Sequence, residues 1–453
     1  MTGTEDVRYL YWRFVALGVA TLAAWNAYIV SADFFRWVLR DTPLTDSFES
    51  LFSVTSNSVN LAALCYALYT QAGANHSRRI CNGLAATAAA FGVMALVAAV
   101  GVEGWMALVA ALLALCAAAV ASAYIQCSVY GIAAPLPTPC AEGYMGGQAI
   151  AGTIASAAQL AVVYSGPDRA GAAPTAVSGH LQLRTAAYFG ALAVFLALCA
   201  GVWRQMHARL ALRNTRDGGW TADHAGAVAN AGPAQRSPSL NELDVVAPES
   251  GYAVPPAADG AVLRRAKWLE SLLGLQNALP IYVTCAEIAP FILVSGVVMG
   301  QTLAVFPPLT EAVVSSPRSS PRVSHLTAWH FLMFNVGDYA GRLCTRWLGC
   351  RSLRTLRWAS HARWLLVPAL LLFPTAATPL QRSLLVHSDL LFLTAVLALG
   401  WTNGWAATTA LILGPQYATS KELAGSILGV AMCVGLVIGA VASYPILLIA
   451  GTS

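Results

Sequence analysis

The chain has 453 residues and a formal net charge of +5; 57% of it is apolar and 10% is Asp, Glu, Lys or Arg, against roughly 25% charged in a soluble domain. Mean hydropathy is +0.61, and the apolar residues gather in stretches of about 20, the length that crosses a hydrocarbon core. These figures argue against a soluble globular protein, leave little chain for an extramembrane enzyme domain, and scatter the basic excess over short loops rather than along a stripe for nucleic acid.

Taken along the chain, apolar runs between polar punctuation predict eleven spanning helices: near 12–35, 50–70, 80–100, 106–133, 143–165, 182–203, 284–310, 327–347, 361–378, 389–413 and 423–448. Glu5, Asp6, Arg8 and Arg13 precede the first run, with no small-residue cleavage site after a short apolar core. That pattern is a first spanning helix rather than a removable signal peptide. Between the sixth and seventh runs, about 204–265 holds Gly, Pro, Asn, Asp and Ser without a hydrophobic period, and such a stretch cannot bury enough apolar surface to order itself. From Lys267 to about Ala286 the chain turns amphipathic, as a segment lying along the interface would. The expected layout is therefore a six-helix half (1–203), a largely disordered connector (204–275) and a five-helix half (276–453).

Basic residues cluster at Arg78 and Arg79, from Arg204 to Arg216, and from Arg346 to Arg357, all in loops on the side of the amino terminus. The positive-inside bias then places that terminus in the cytosol, and an odd helix count puts the carboxyl terminus outside. The sequon Asn75-His76-Ser77 falls in a cytosolic loop and should carry no glycan. The ten Cys mostly sit in apolar runs and make neither CxxC nor His/Cys ligand spacing. They suit small core positions rather than a disulfide framework or a metal site, and no cofactor is expected.

The informative residues are the polar ones that a bilayer would reject. In the eighth run Asn335, Asp338 and Arg342 follow spacings of three and four, one face of a helix. Each ionised group costs roughly 2.5 to 3.5 kcal/mol at mid-membrane, so the pair must face protein or a wet cavity. It is either a self-neutralising packing bridge or a site that offers a carboxylate and a guanidinium fork to a hydroxyl-bearing solute. In the first run Leu22, Trp25, Ile29 and Asp33 share a face, so the indole of Trp25 either packs or stacks on a planar ring. In the fourth, Ser122, Gln126 and Tyr130 lie four apart; the amide of Gln126 either glues helices or both donates and accepts toward a heterocycle edge. Ser53, Asn57 and Asn60 in the second run form helix glue or cavity wall. Asp33, and Glu311 beyond helix seven, are carboxylates that could couple a proton gradient, although a solvated or capping role suits both. Phe306-Pro307-Pro308 should end the seventh helix.

With these residues in place the chain resembles the equilibrative nucleoside transporter family over most of its length. Trp25-Asn26 is similar to the family's Pro-Trp-Asn signature, and Gln126 through Gly131 with Gly147-Gln148 and Ala151-Gly152 to its helix four to five region. Phe306-Pro307 closes helix seven as the family does. Phe334 through Arg342 is similar to the motif Phe-Asn-x-x-Asp-x-x-Gly-Arg, the most specific element; Asn403-Gly404, Gly414-Pro415 and Glu422 through Gly425 are similar to the helix ten to eleven passage. Two departures are Ala24 in place of the signature Pro, and Gly337 where a bulkier residue is usual. The resemblance implies an all-α polytopic membrane protein, a pseudo-symmetric bundle of six plus five helices of the major-facilitator kind, working by alternating access on a nucleoside or nucleobase. It also implies that Asp338 and Arg342 hold the ribose, Gln126 meets the base and Trp25 walls the base pocket. Leu22, Asn26, Ile29, Asn57, Asn60, Ser122, Tyr130, Asn335 and Asn403 would then be cavity or support residues.

Facilitated diffusion is the expected activity, at the plasma membrane or, as the alternative, an organelle membrane, with proton-coupled symport as the alternative mechanism. A major facilitator sugar or drug carrier is a further rival, because Asp338-x-x-Gly341-Arg342 echoes that superfamily's loop motif. Here, however, the string lies inside an apolar span and has no second copy. No His-Glu-x-x-His or Gly-x-Ser-x-Gly string supports an intramembrane enzyme.

Overall fold

A computed structural model describes residues 4–45, 47–165, 174–217, 278–348, 352–375 and 386–450. Within them the chain is a multi-pass, all-helical membrane protein; the one β feature is an isolated bridge between Val313 and Thr375. In order the helices are α1 Thr4–Val30, α2 Ala32–Val38, α3 Phe48–Tyr69, α4 His76–Val100, α5 Gly104–Ala133, α6 Thr138–Ser165 and α7 Pro174–Asp217. Then follow α8 Ala278–Glu287, α9 Ala289–Val305, α10 Pro308–Ala312, α11 Leu326–Cys344, α12 Leu353–Ala362, α13 Leu366–Leu370, α14 Asp389–Leu413 and α15 Lys421–Ala450.

By length and composition seven of the described segments suffice to cross a membrane, fewer than the eleven expected. The polar stripe explains why α11 is outside that group: its 19 residues carry His330, Asn335, Asp338 and Arg342, which lower its hydropathy while its helical length is kept. It packs instead between α6 and α14, where polar groups find partners.

Several boundaries depart from the expected ones. The first run is broken at Ser31, so Asp33 belongs to α2 and not to the end of α1. The sixth helix runs on to Asp217, because residues 204–217 are rich in the strong helix formers Ala, Leu, Arg, Gln and Met; the rest of the connector, 218–277, lies outside the described residues. Of the amphipathic stretch after Lys267, the described part forms α8, which packs on α9 and α15; the rest lies outside the described residues. Phe306, in extended backbone, and the two prolines after it do end α9. The ninth helix is displaced toward the amino terminus: α12, a 3-10 turn over Arg363–Leu365 and α13 occupy 353–370. An amphipathic start escapes a hydropathy window, and Arg363 buries itself where the α-helical ladder breaks. Asn75, expected in a loop, caps α4 by accepting from the Arg78 N–H at 2.9 Å.

Helix pairing repeats between the halves. In the first half α1 packs along α6 and α3 along α5; in the second α9 packs along α15 and α11 along α14. These are the first with fifth, and second with fourth, spans of each half. The halves meet where α6 touches α11 and where α3 and α5 touch α15. Lipid is as apolar as Leu, so association rests on close van der Waals packing, and glycine makes that possible where α11 crosses α14. A Cβ on Gly337 or Gly341 would strike the carbonyls of Leu397 or Trp401, and one on Gly400 or Gly404 those of Phe334 or Asp338. Gly337, a departure from the family's pattern, is thus required by this crossing.

Overpacking there is the test. Gly404→Leu should cost about 1–3 kcal/mol or more and appear as a lower melting temperature of the purified protein, whereas Gly92→Leu, where nothing lies within 4 Å, should leave melting unchanged.

Candidate functional site

The stripe on α11 forms as its spacing requires. Asp338 is 5% and Arg342 9% exposed, and Arg342 Nε donates to Asp338 Oδ2 at 2.7 Å. The other carboxylate oxygen accepts from Asn403 Nδ2 on α14 at 2.7 Å. Thr302 Oγ on α9 donates to Asn403 Oδ1 at 2.8 Å and accepts from Arg363 Nη2 at 2.8 Å. Arg363 is 3% exposed and also binds the Val298 carbonyl at 2.9 Å and Thr402 Oγ at 3.0 Å. One carboxylate therefore balances two buried guanidiniums, one directly and one through two neutral side chains.

The spacing alone allows either a self-neutralising bridge or an Asp338 carboxylate open to a solute. Both its oxygens are engaged in this conformation, although each carboxylate oxygen has room for a second donor. The open group is on Arg342: Nη1 is turned toward Met145 Sδ at 3.4 Å, and Nη2 has no hydrogen bond among the described residues. Met145 on α6 also accepts from Tyr130 OH at 3.6 Å, so α5, α6 and α11 converge on one thioether.

Across the seam, Gln126 is half-buried and donates to Ser122 Oγ at 3.3 Å, with Cys433 Sγ of α15 at 4.0 Å from its carbonyl. Ser122 donates to the Thr21 carbonyl at 3.2 Å, and Tyr144 OH to Thr21 Oγ at 3.3 Å, which locks α1, α5 and α6 together one helical turn from Trp25. Trp25, Leu22, Asn26 and Ile29 are half-buried there, and Asn26 Nδ2 is buried without a partner among the described residues. Asn60 donates to the Ala119 carbonyl at 3.1 Å and receives Cys433 Sγ at 3.8 Å, so it joins α3 to α5 and α15. Asn57 is exposed and, among the described residues, bonds to Ser53 of its own helix at 3.3 Å. Asn335 ties the halves together, donating to Ser156 Oγ of α6 at 2.8 Å.

Thr302, Met145, Arg363 and Cys433 were not singled out as site residues on sequence grounds. An Arg inside an apolar run was the only signal for Arg363; the other three are ordinary residues until packing brings them to the seam. Asp33 and Glu311 stay apart from the buried network. Asp33 faces Arg36 at 3.6 Å, in an exposed group that includes Glu49, and exposed pairs of this kind contribute about 0–1 kcal/mol. Glu311 is exposed on α10.

Two pairs of ionisable side chains cross between the halves at the end of the bundle where α7 leaves and α8 enters, the connector end. His76 Nε2 meets Glu422 Oε1 at 2.6 Å, with Gln71 Nε2 at 3.4 Å. Arg346 Nε donates to Glu142 Oε2 at 2.6 Å, its guanidinium 4.8 Å from the centre of the Tyr11 ring. Burial disfavours the Arg346 charge, yet the hydrogen bond and charge of Glu142 outweigh it and hold the guanidinium pKa above its ordinary value. At the opposite end Tyr164 touches Ser324 at 3.0 Å and Trp329 at 3.2 Å, polar contacts without charge.

A family model described as "Nucleoside transporter" matches residues 112–448. Equilibrative nucleoside transporter 1 of Rattus norvegicus is 25% identical, covering 95% of each chain. Equilibrative nucleoside transporter 3 of the same organism is also 25% identical, over 91% of this chain and 82% of its own. Among solved structures, the E. coli fucose:proton symporter covers 99% of this chain and 98% of its own with a TM-score of 0.55 at 14% identity, a likeness of fold.

Truncating one partner of a buried ion pair costs about 3–5 kcal/mol. Asp338→Asn and Arg342→Gln should each lower the melting temperature of the purified protein, and the double variant should melt above the sum of the two losses. Strict additivity would show that the two side chains do not interact.

Proposed function

The chain belongs to the nucleoside transporter family, and on that premise we propose that it moves nucleosides, with nucleobases as the neighbouring class, by facilitated diffusion through alternating access. It is a carrier and not an enzyme. The observation that carries the reading is the buried Asp338–Arg342 pair at the seam of the halves, with Nη2 of Arg342 left over. A nucleoside is an uncharged flat ring on a hydroxyl-rich sugar and needs charge-assisted partners at one end and an aromatic or apolar wall at the other. Arg342 and the remaining lone pairs of Asp338 take the ribose hydroxyls, Gln126 the base edge, and Trp25 with Leu22 and Ile29 the base face. Asn335, Asn403, Asn60, Ser122 and Tyr130 hold these groups in place. A second buried cation does not turn the site toward nucleotides, because Arg363 spends its donors on Val298, Thr302 and Thr402.

The two bodies that rock are the first half, through 203 with α7 continuing beyond it, and the second half from 276, joined by the connector. With the amino terminus in the cytosol, the connector end is the cytosolic one. The His76–Glu422 and Arg346–Glu142 pairs then close the inner side, and breaking both pairs admits solute to the cytosol. The plasma membrane is the expected location. Proton coupling through Asp33 or Glu311 has no support in the geometry, since neither carboxylate reaches the buried network.

Expressed in cells without nucleoside uptake, the protein should confer saturable entry of labelled uridine or adenosine that unlabelled nucleoside suppresses and glucose does not. Asp338→Asn and Arg342→Gln should lower uptake per molecule at the cell surface by about tenfold or more, the worth of one charge-assisted hydrogen bond. Parental transport by both variants would reduce the pair to packing. A protonophore should leave uptake unchanged; an acid-stimulated component that Asp33→Asn removes would reverse the mechanism to symport.

A further inference from the structure

The outward face of α12 takes no part in the seam between the halves. Leu353, Leu356, Ser360 and Arg363 are buried on the side that packs against α9 and α14. The opposite side presents Arg354, Arg357, Trp358 and His361, which line a shallow surface cavity.

Arg363 fixes the depth of this face. It binds Val298 and Thr302 of α9 and Thr402 of α14, which lie near the middle of the spans Ala289–Ala312 and Asp389–Tyr417. Arg354 precedes it by about nine residues, roughly 14 Å at 1.5 Å per helical residue, and the hydrocarbon core extends roughly 15 Å from its midplane. Arg354 therefore sits in the headgroup layer of the connector end. Arg357, one turn deeper, reaches that layer by extending its stem along apolar surface. Trp358, about one turn deeper than Arg354, is 71% exposed, and exposed Trp364 and Leu365 continue the apolar stripe along the acyl chains.

The charge on this face is uncompensated. Neither Arg354 nor Arg357 makes an ion pair or hydrogen bond among the described residues, and the sequence has no Asp or Glu between Asp338 and Asp389. Two guanidinium forks that reach headgroup depth, with an indole about one turn below Arg354 among the acyl chains, match a phosphate with a hydrocarbon tail. We propose that this face binds the phosphate group of an anionic phospholipid in the leaflet at the connector end, with Trp358 and Leu365 packed on its acyl chains. The inference rests on the membrane placement of the fold and not on the substrate, so transport results leave it untouched.

The test is thermal melting of the purified full-length protein in detergent with added phosphatidylserine or phosphatidylcholine. Phosphatidylserine should raise the melting temperature by a few degrees more than phosphatidylcholine does. Arg354→Gln/Arg357→Gln should keep the phosphatidylcholine value and lose most of the difference; an equal difference in the double variant overturns the site. Native mass spectrometry of the unsubstituted protein provides a second reading that does not depend on the variant folding. Retention of phosphatidylserine over phosphatidylcholine supports the site, and no preference overturns it. Soluble glycerophosphoserine should give no shift, and a shift equal to that of the lipid would replace the lipid site with one for a free phosphate ester.

Discussion

Asp338 has to satisfy two guanidiniums in a protein surrounded by hydrocarbon, and the arrangement of the second half follows from that demand. A charge at mid-membrane costs about 2.5–3.5 kcal/mol on the lenient scale, so neither Arg342 nor Arg363 can stay buried without a partner. Arg342 takes the carboxylate directly. Arg363 takes carbonyls and hydroxyls of α9 and α14 and reaches Asp338 only through Thr302 and Asn403. Four segments, α9, α11, α14 and the break after α12, are held in register by one negative charge.

The network and the glycines depend on each other. Asn403 reaches Asp338 because α11 and α14 nearly touch, and they nearly touch because Gly337, Gly341, Gly400 and Gly404 remove the side chains from their crossing. Interhelical hydrogen bonds in membranes average well under 2 kcal/mol each, so they do not bring the helices together by themselves. Backbone approach supplies the dispersion contact, and the polar groups then select one register. The same division appears between α9 and α15, where Gly296 and Gly300 face Gly435 and Gly439 and Thr302 supplies the polar link to α14.

The two ends of the bundle are built differently, and a carrier needs such a difference. The Arg346–Glu142 ion pair and the His76–Glu422 hydrogen bond join the halves at the connector end, while contacts of Tyr164 with neutral groups do so at the other. Ion pairs that open into water on one side exchange protein partners for hydration at modest cost. The buried Asp338–Arg342 pair has no such exchange open to it, because both partners lie on one helix away from water. The basic face of α12 adds a fixed point at the same end, where headgroups rather than a partner helix compensate the charge.

Sequence alone determined the all-helical, membrane-spanning class, because 20-residue apolar runs have few other uses. It determined the face shared by Asn335, Asp338 and Arg342 as well, because helical spacing fixes which side chains are neighbours along one helix. The stripe through Leu22, Trp25 and Ile29 and the Ser122–Gln126 contact were legible for the same reason. What lies between helices was not legible. Whether Asp338 is open or engaged, whether Asn60 glues while Asn57 is exposed, and whether Met145 or Cys433 reaches the seam depend on partners tens to hundreds of residues away. Arg363 shows the difference most clearly: its presence in an apolar run was plain, but only the packing of α9 and α14 around it decided that it would be buried, where its helix would break and which groups would neutralise it. Periodicity is a local property of the chain, whereas burial and compensation of charge belong to the assembled bundle.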